Sequence, residues 1–171
     1  MVYKMWESLK YKFEKYPARM NVASKMIELG LRVGKDHKIY CGDLKISDVA
    51  LAKVANVDRK AIKLTVDFIL NDEKLSNIFE NILPAGTLLK NIAKNLGLGV
   101  IEIEVGEENI GILANASKII SEEGISIRQA YASDTQLEEI PRLTIITEEN
   151  VSGEIIKKFL KINGVIRVSI Y

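Results

Sequence analysis

The chain has little of the chemistry on which most enzymes depend. Its 171 residues include one histidine, one cysteine and one tryptophan. A single cysteine rules out a disulfide within the chain and agrees with a reducing compartment. A catalytic triad or a cysteine and histidine pair would have to rest on His37, and nothing in the sequence places a nucleophile beside it. We therefore expect no catalytic residues and a chain that is not an enzyme.

Metal ligands are equally scarce. His37 and Cys41 lie four residues apart and offer two ligands, with Asp36 and Asp43 nearby. A structural zinc site needs four ligands and usually a second pair of Cys or His, and no second pair exists. We expect no metal site and no cofactor.

Long apolar runs are also missing. No stretch approaches the roughly 18 apolar residues that a membrane span requires, and residues 1–16 mix Lys, Glu and aromatics without the apolar centre of a secretory signal. A content of 47% hydrophobic and 27% charged residues is typical of a folded soluble protein. We expect a cytoplasmic protein that does not bind membranes, with two small domains rather than one ordinary domain.

Charge is distributed unevenly along the chain. Residues 1–96 contain 17 Lys/Arg and 11 Asp/Glu, a net charge of +6, whereas residues 97–171 contain 7 and 12, a net charge of −5. A basic module joined to an acidic one is typical of nucleic-acid binding attached to another function, because Lys and Arg make most phosphate contacts. The alternative is a chance segregation of charges on solvated faces.

The pattern of residues 98–171 predicts the element order β-α-β-β-α-β. Alternating residues, helical apolar spacing, and turns at Gly124 and Asn163-Gly164 mark the elements. Ser152 is the expected cap of the second helix. The predicted strands are Val100 to Val105, Ile125 to Tyr131, Arg142 to Thr147 and Val165 to Ile170.

This order resembles the ACT domain, a small ferredoxin-like module that binds amino acids and regulates metabolic enzymes and transcription factors. The resemblance covers about residues 98–171, and its most specific parts are Asn109-Ile110-Gly111-Ile112-Leu113 and Glu123-Gly124-Ile125-Ser126-Ile127. Ile110 occupies a position where the family usually has proline, and Ser126 one where it usually has asparagine.

The resemblance implies a ligand site at the turn after the first strand. Backbone N–H groups at the start of a helix can hold a carboxylate, and Gly111 allows a ligand to approach the main chain. In the family the site usually lies between two modules, which implies a homodimer or higher homo-oligomer. Alternatively, Gly111 only permits close packing of helix on sheet and the site is empty. The implied ligand-binding residues are Glu108, Asn109, Ile110, Gly111, Ile112, Leu113 and Ser126.

The front of the chain is predicted to be helical, with Lys38 to Cys41 as a possible short strand. Ser47-Asp48 is a favourable cap for a short helix, and Asp58 is one for a longer helix that runs to about Leu70. Leu51 to Val66 resembles the helix-turn-helix of lac-repressor-type regulators. Asn56 suits the left-handed conformation of the turn, and Val57, Ile62 and Val66 are expected to face the core.

The outward positions of the second of these helices are Arg59, Lys60 and Lys63. We predict that they bind double-stranded DNA, with Arg59 as the base contact because its planar fork suits guanine, and the two lysines on phosphates. The alternative is a three-helix packing unit without DNA.

Residues 72–97 are predicted to form a helical connector. Leu75, Ile78, Phe79 and Ile82 form one apolar stripe, Pro84 breaks it, and a second stripe ends at Gly97. The stripes can pack on either module or on a second copy. The expected fold class is α+β, with an all-α helix-turn-helix-like domain at 1–71, the connector at 72–97 and the ACT domain at 98–171.

Together these features predict an amino-acid-responsive transcriptional regulator of amino acid metabolism. The alternative is a regulatory subunit that senses an amino acid and docks its helical domain on an enzyme, without binding DNA. One feature distinguishes the two hypotheses. A DNA-binding regulator should combine Arg59, Lys60 and Lys63 with Lys38, Lys45 and Lys53 in one continuous positive face, whereas in a docking subunit they would be ordinary surface charges.

Overall fold

The computed structural model describes residues 5–106, 110–134, 138 and 140–171, with the side chains of residues 9 onward within these ranges. The chain divides into two compact units, Met1–Gly86 and Thr87–Tyr171. The division falls inside the segment 72–97 that the sequence assigns to a connector. None of the helices in the described part of the chain is long and apolar enough to cross a membrane.

The first unit contains five helices and a small sheet. One continuous core joins them and includes Phe13, Met26, Ile62, Ile69 and Phe79, all almost fully buried. Its elements are α1 (Met5–Phe13), α2 (Pro17–Glu28), β1 (Leu31–Val33), β2 (Ile39–Cys41), β3 (Leu44–Ile46), α3 (Asp48–Val54), α4 (Arg59–Leu70) and α5 (Glu73–Phe79).

The prediction of an all-α first domain is wrong. The strands β1, β2 and β3 pair in that order as an antiparallel sheet. Each strand has three residues, too few for the alternation of apolar and polar residues to register as a strand pattern. Only β2 overlaps the short strand expected at 38–41. Leu31, Val33 and Ile39 point into the helical core, so the sheet is part of the same unit.

The second unit confirms the predicted element order. Its four strands form one antiparallel sheet in the order β5-β6-β4-β7, the arrangement of a ferredoxin-like βαββαβ unit. Its elements are a 3-10 helix (Leu89–Leu96), β4 (Gly99–Val105), α6 (Ile112–Glu122), β5 (Ile127–Ala132), β6 (Arg142–Thr147), α7 (Glu154–Phe159) and β7 (Val165–Ile170).

The two faces of this sheet are buried differently. Ile101, Ile103 and Ile145 point towards α6 and α7 and form the main core. On the opposite face, Val100 and Ile146 pack against Ala93 of the 3-10 helix. Strand alternation alone explains this division, because neighbouring residues point to opposite faces.

The two halves of the predicted connector therefore belong to different units. Leu75 and Phe79 of α5 are buried in the first core, and Ala93 is buried in the second unit. The second half forms a 3-10 helix, which divides the predicted apolar stripe: Ala93 points inward, whereas Ile92 and Leu96 are exposed. Gly97 ends this helix, as predicted, and it has a left-handed conformation.

The predicted cap of α7 is wrong by one residue. Gly153 occupies the N-cap position and has no side chain to offer, and Ser152 instead contributes its backbone oxygen, which accepts a hydrogen bond from Ile155 N (3.1 Å). The Ser152 side chain thus does not cap this helix.

Candidate effector pocket and nucleic-acid surface

Helix α6 begins without a side-chain cap. Gly111 is its N-cap residue, with φ 78°, a left-handed conformation that other residues adopt at a cost. A Cβ atom at this position would meet only Asn115 Nδ2, at an ordinary 3.6 Å. The backbone conformation therefore explains this glycine, whereas close packing of the helix on the sheet does not. Among the described residues, no side chain of the capping type accepts a hydrogen bond from the first N–H groups of α6.

A pocket of about 230 Å³ lies beside this helix start. Its walls come from the end of β4, the start of α6, the end of β5 and the start of β6. Most of the wall is apolar, and the polar contribution comes from Ser133 and Arg142. The lining residues are Val105, Ile112, Leu113, Ala132, Ser133, Pro141, Arg142 and Leu143.

Arg142 is the charged residue of this wall among the described residues. Its Nε lies 3.6 Å from Glu104 Oε1, and Arg167 approaches the same oxygen at 3.9 Å. Glu104, Arg142 and Arg167 occupy paired positions and lie on the sheet face opposite α6, because their neighbours Ile103 and Leu143 point towards the helices. The Arg142 side chain is therefore engaged with Glu104 away from α6, and the groups at the pocket that suit a carboxylate are the N–H groups at the helix start.

Ser133 holds the two strands at the pocket together. Its Oγ accepts a hydrogen bond from Arg142 N (2.8 Å), and Ser133 N donates to Arg142 O (2.9 Å). The residue is buried, and its hydroxyl is engaged with the Arg142 backbone. It therefore positions Arg142 at the pocket wall, and its hydroxyl is not free for a ligand.

Only some of the residues predicted for ligand binding line this pocket. Leu113 and Ile112 line it, with Ile112 also buried in the core. Ile110 is 97% exposed and precedes the helix. Glu108 and Asn109 lie outside the described residues.

Ser126 lies apart from these residues within one chain. It precedes β5, whose first residue Ile127 pairs with Thr147, whereas Ala132, at the pocket, pairs with Leu143. The length of β5 therefore separates Ser126 from the pocket, about 20 Å for six residues. Ser126 can contribute to this site only from a second copy.

Sequence reasoning missed the far wall of the pocket. Ala132, Ser133, Pro141 and Arg142 reach the start of α6 only because β5 and β6 pair next to β4. No motif joins these residues to Gly111. The available signal was the strand order implied by the βαββαβ pattern, which places the β5–β6 connection at the same end of the sheet as the α6 start.

The helix-turn-helix of the first unit has the predicted caps. Ser47 Oγ accepts from Ala50 N (3.1 Å) at the start of α3, and Asp58 Oδ1 accepts from Lys60 N (2.7 Å) at the start of α4. Asn56 has φ 53° in the turn between them, the left-handed conformation expected there. Leu51, Ala52, Ile62 and Val66 are buried, and Val57 packs at the edge of the core.

The exposed face of α4 carries charges of both signs. Lys60 and Lys63 are exposed, and neither side chain has an ion-pair partner in the described part of the chain. Arg59 Nε lies 4.0 Å from Asp48 Oδ2, so α3 partly neutralises the predicted base contact. Asp67, one turn beyond Lys63, meets His37 Nδ1 at 2.8 Å. The basic part of the face is therefore its N-terminal half.

His37 and Cys41 do not form a metal site with other residues of the described ranges, in which no group of three or more His, Cys, Asp or Glu converges. The His37 ring is directed to Asp67, and Cys41 packs at the edge of the core.

Comparison with known proteins adds little. No protein-family model matches the chain, and neither does any curated protein. Among solved structures, the chain is similar to a transcriptional regulatory protein from Pyrococcus furiosus, a member of the ASNC family. The identity is 13%, the match covers 74% of this chain and 77% of the other, and the TM-score is 0.25. At that TM-score the likeness establishes neither a shared fold nor a shared function.

Proposed function

We propose that the chain is an amino-acid-responsive transcriptional regulator rather than an enzyme. In this proposal the helix-turn-helix of the first unit binds double-stranded DNA through α4. The second unit acts as an ACT module and binds a small carboxylate effector, an amino acid or a similar compound, in the pocket at the start of α6.

The observation that carries the proposal is the exposed basic half of α4 within a fully capped helix-turn-helix. Such a helix can enter the major groove, with its N-terminal residues nearest the bases. Arg59 lies there and is the proposed base contact, and Lys60 and Lys63 are the proposed phosphate contacts. Residues 1–86 contain 15 Lys/Arg and 11 Asp/Glu, and this net charge of +4 supports the same partner.

The effector class follows from the chemistry of the pocket. The N–H groups at the start of α6 favour a carboxylate, and the apolar wall suits an apolar side chain. A volume of about 230 Å³ suits a molecule of amino-acid size rather than a nucleotide.

Two copies are required for the complete proposed site. Ser126 lies at the far end of β5 and approaches the effector only from a neighbouring chain. A homodimer through the second unit also brings two helix-turn-helix units together, which suits a palindromic operator.

A thermal-shift screen against the twenty amino acids tests the sensing function, because a ligand that binds only the folded state raises Tm by mass action. We expect a shift with one amino acid or a few related ones. Equal Tm values for all twenty at millimolar concentration would argue against a sensor and leave assembly as the role of the second unit.

A second candidate is a regulatory subunit whose first unit docks on an enzyme. It is favoured by exposed apolar side chains on the helix-turn-helix surface, namely Val49, Val54 and Leu64. It is also favoured by two acidic residues at this surface, Asp48, which faces Arg59, and Asp67 of α4 itself. Duplex binding decides between the two candidates. A docking subunit should show no salt-dependent affinity for DNA, whereas a DNA-binding regulator loses affinity steeply as salt rises.

A further inference from the structure

The β1–β2 turn, residues 34–38, lies beside the exposed face of α4. His37 belongs to this turn, and its Nδ1 contacts Asp67 Oδ1 of α4 at 2.8 Å, with both side chains more than half exposed. Asp67 follows Lys60 and Lys63 at helical spacing, so all three lie on one face. The turn therefore adjoins the face that carries the proposed phosphate contacts.

This turn has an unusual backbone. His37 has φ 59°, a left-handed conformation that is unfavourable for a residue with a side chain. The surrounding structure holds it there: Gly34 N donates to Lys38 O (2.7 Å), and His37 N donates to Gly34 O (2.9 Å). The turn is thus fixed in shape.

The sheet surface that continues from the turn is basic. Residues 31–46 contain four Lys/Arg and two Asp, for a net charge of +2. Arg32, Tyr40 and Lys45 face each other across the three strands, with the Arg32 guanidinium 4.7 Å from the centre of the Tyr40 ring. Asp36 is the acidic residue of the turn, and its carboxylate accepts hydrogen bonds from Tyr40 Oη (2.7 Å) and Lys38 N (3.2 Å).

Lys35 and Lys38 lie on either side of His37. Their side chains take no part in the hydrogen bonds of the turn. Neither ammonium group has an ion-pair partner among the residues that the structure describes, unlike Lys12 and Lys25, which pair with Asp72 and Glu28. Two cations without partners, on a fixed turn beside a basic helix, are complementary to the closely spaced phosphates of a duplex.

We propose that the β1–β2 turn is a second DNA contact, in which Lys35 and Lys38 bind phosphates that flank the groove entered by α4. This inference rests on the proposed DNA-binding function and adds a contact outside the helix-turn-helix. The His37–Asp67 contact joins the turn to α4 and places the imidazole beside the acidic charge of Asp67, on the face that would meet the phosphates.

The test is fluorescence anisotropy of a mixed-sequence duplex of about 30 base pairs, titrated with the full chain between about 50 and 200 mM salt. The variants are Lys35→Gln with Lys38→Gln, and Lys60→Gln with Lys63→Gln. The matched control removes two lysines from the second unit, Lys157→Gln with Lys161→Gln. Thermal melts establish that each variant is folded.

We expect the turn pair and the α4 pair each to reduce the slope of log K against log salt by almost 2, since each phosphate contact contributes about 0.9. Affinity at about 0.1 M salt should fall more than tenfold for both pairs and stay unchanged for the control.

Two results would overturn the inference while preserving the proposed function. One is a wild-type slope for the turn pair beside a reduced slope for the α4 pair. The other is an equal loss for the turn pair and the control, which would indicate a general charge effect. No salt-dependent binding by the wild-type chain would instead refute the proposed function and this inference together.

The His37→Asn variant examines the positioning role of the turn. Asparagine tolerates the left-handed conformation but lacks the imidazole that reaches Asp67. We expect weaker duplex binding with an unchanged salt slope, because both lysines remain but are less well placed. Unchanged affinity would exclude a positioning role for His37.

Discussion

Three helices of the first unit begin differently from the helices of the second. The side chains of Ser47, Asp58 and Asp72 each accept a hydrogen bond from a backbone N–H and so cap α3, α4 and α5, whereas α2 begins at Pro17 without a side-chain cap. In the second unit, α6 and α7 start at Gly111 and Gly153, which have no side chain to offer.

The difference between the helix starts indicates which helices can bind an external anion. A helix start that is filled by its own carboxylate, as in α4, has satisfied donors and no place for an external anion. At the start of α6 no side chain among the described residues caps the helix, and a pocket adjoins it. In the proposed function, anion binding therefore belongs to the second unit, whereas the first unit would bind phosphates through lysine and arginine side chains.

The largest expected effect tests whether each unit depends on its own core. Phe79→Ala and Phe159→Ala remove fully buried rings, one in each unit. Each change should cost its unit about 3 to 5 kcal/mol, because it leaves a cavity. Phe79→Ala should reduce duplex binding and spare the amino-acid thermal shift, and Phe159→Ala should do the reverse. Loss of both activities in both variants would show that the units do not fold separately.

Substitutions of Gly111 test the helix start of α6 through its backbone conformation. Gly111→Ala places a Cβ at φ 78°, with an expected cost of about 1 to 2 kcal/mol. A bulky Gly111→Val should in addition abolish the amino-acid response, while duplex binding by the first unit remains. Retention of both activities in the valine variant would move the effector site elsewhere.

Substitutions of Asp58 test the capped helix start of α4. Asp58→Ala loses the cap on Lys60 N and should lower stability by about 1 kcal/mol. Because the variant also removes a negative charge beside Arg59, its affinity for duplex should rise. Asp58→Asn keeps the cap and loses the charge, so it should raise duplex affinity at nearly wild-type stability. A fall in affinity for Asp58→Asn would place the DNA away from the start of α4.

The smallest effect concerns pH. A hydrogen bond from Lys12 and a backbone bond from Leu75 hold the pKa of Asp72 below its ordinary value of 3.8. A lowered pKa means that the stabilisation is fully present above the unfolded pKa and is lost as the pH falls through the folded pKa. Urea denaturation from pH 6 downward should therefore show a decline below about pH 4 that is smaller in Asp72→Asn. The same decline in both proteins would assign it to other carboxyl groups.

The elements with strong local signals were predictable from the sequence. The strands at Arg142–Thr147 and Val165–Ile170 and the caps Ser47 and Asp58 are confirmed. Their signals are six-residue runs rich in Ile, Val and Thr for the strands, and a capping side chain directly before an apolar stripe for the helices. The exception is Ser152, where the following Gly153 takes the cap position.

The remaining features depend on contacts between distant residues. The three-residue strands of the first unit are stabilised as a sheet only by one another and by the helical core. The pocket joins Leu113 to Ser133 and Arg142, which lie 20 or more residues away along the chain. Ser126 appears close to the site in a family motif, yet strand pairing places it at the other end of β5.

The measurement that tests the central claim most directly is duplex affinity with and without a saturating amino acid. The duplex would be one selected for tight binding from a random pool, and the amino acid the one with the largest thermal shift. The account predicts that the amino acid changes duplex Kd about 5- to 150-fold, the usual range for coupled sites, and that Gly111→Val abolishes the change. Tight binding of both ligands with the same duplex Kd in the presence and absence of the amino acid would contradict the regulator.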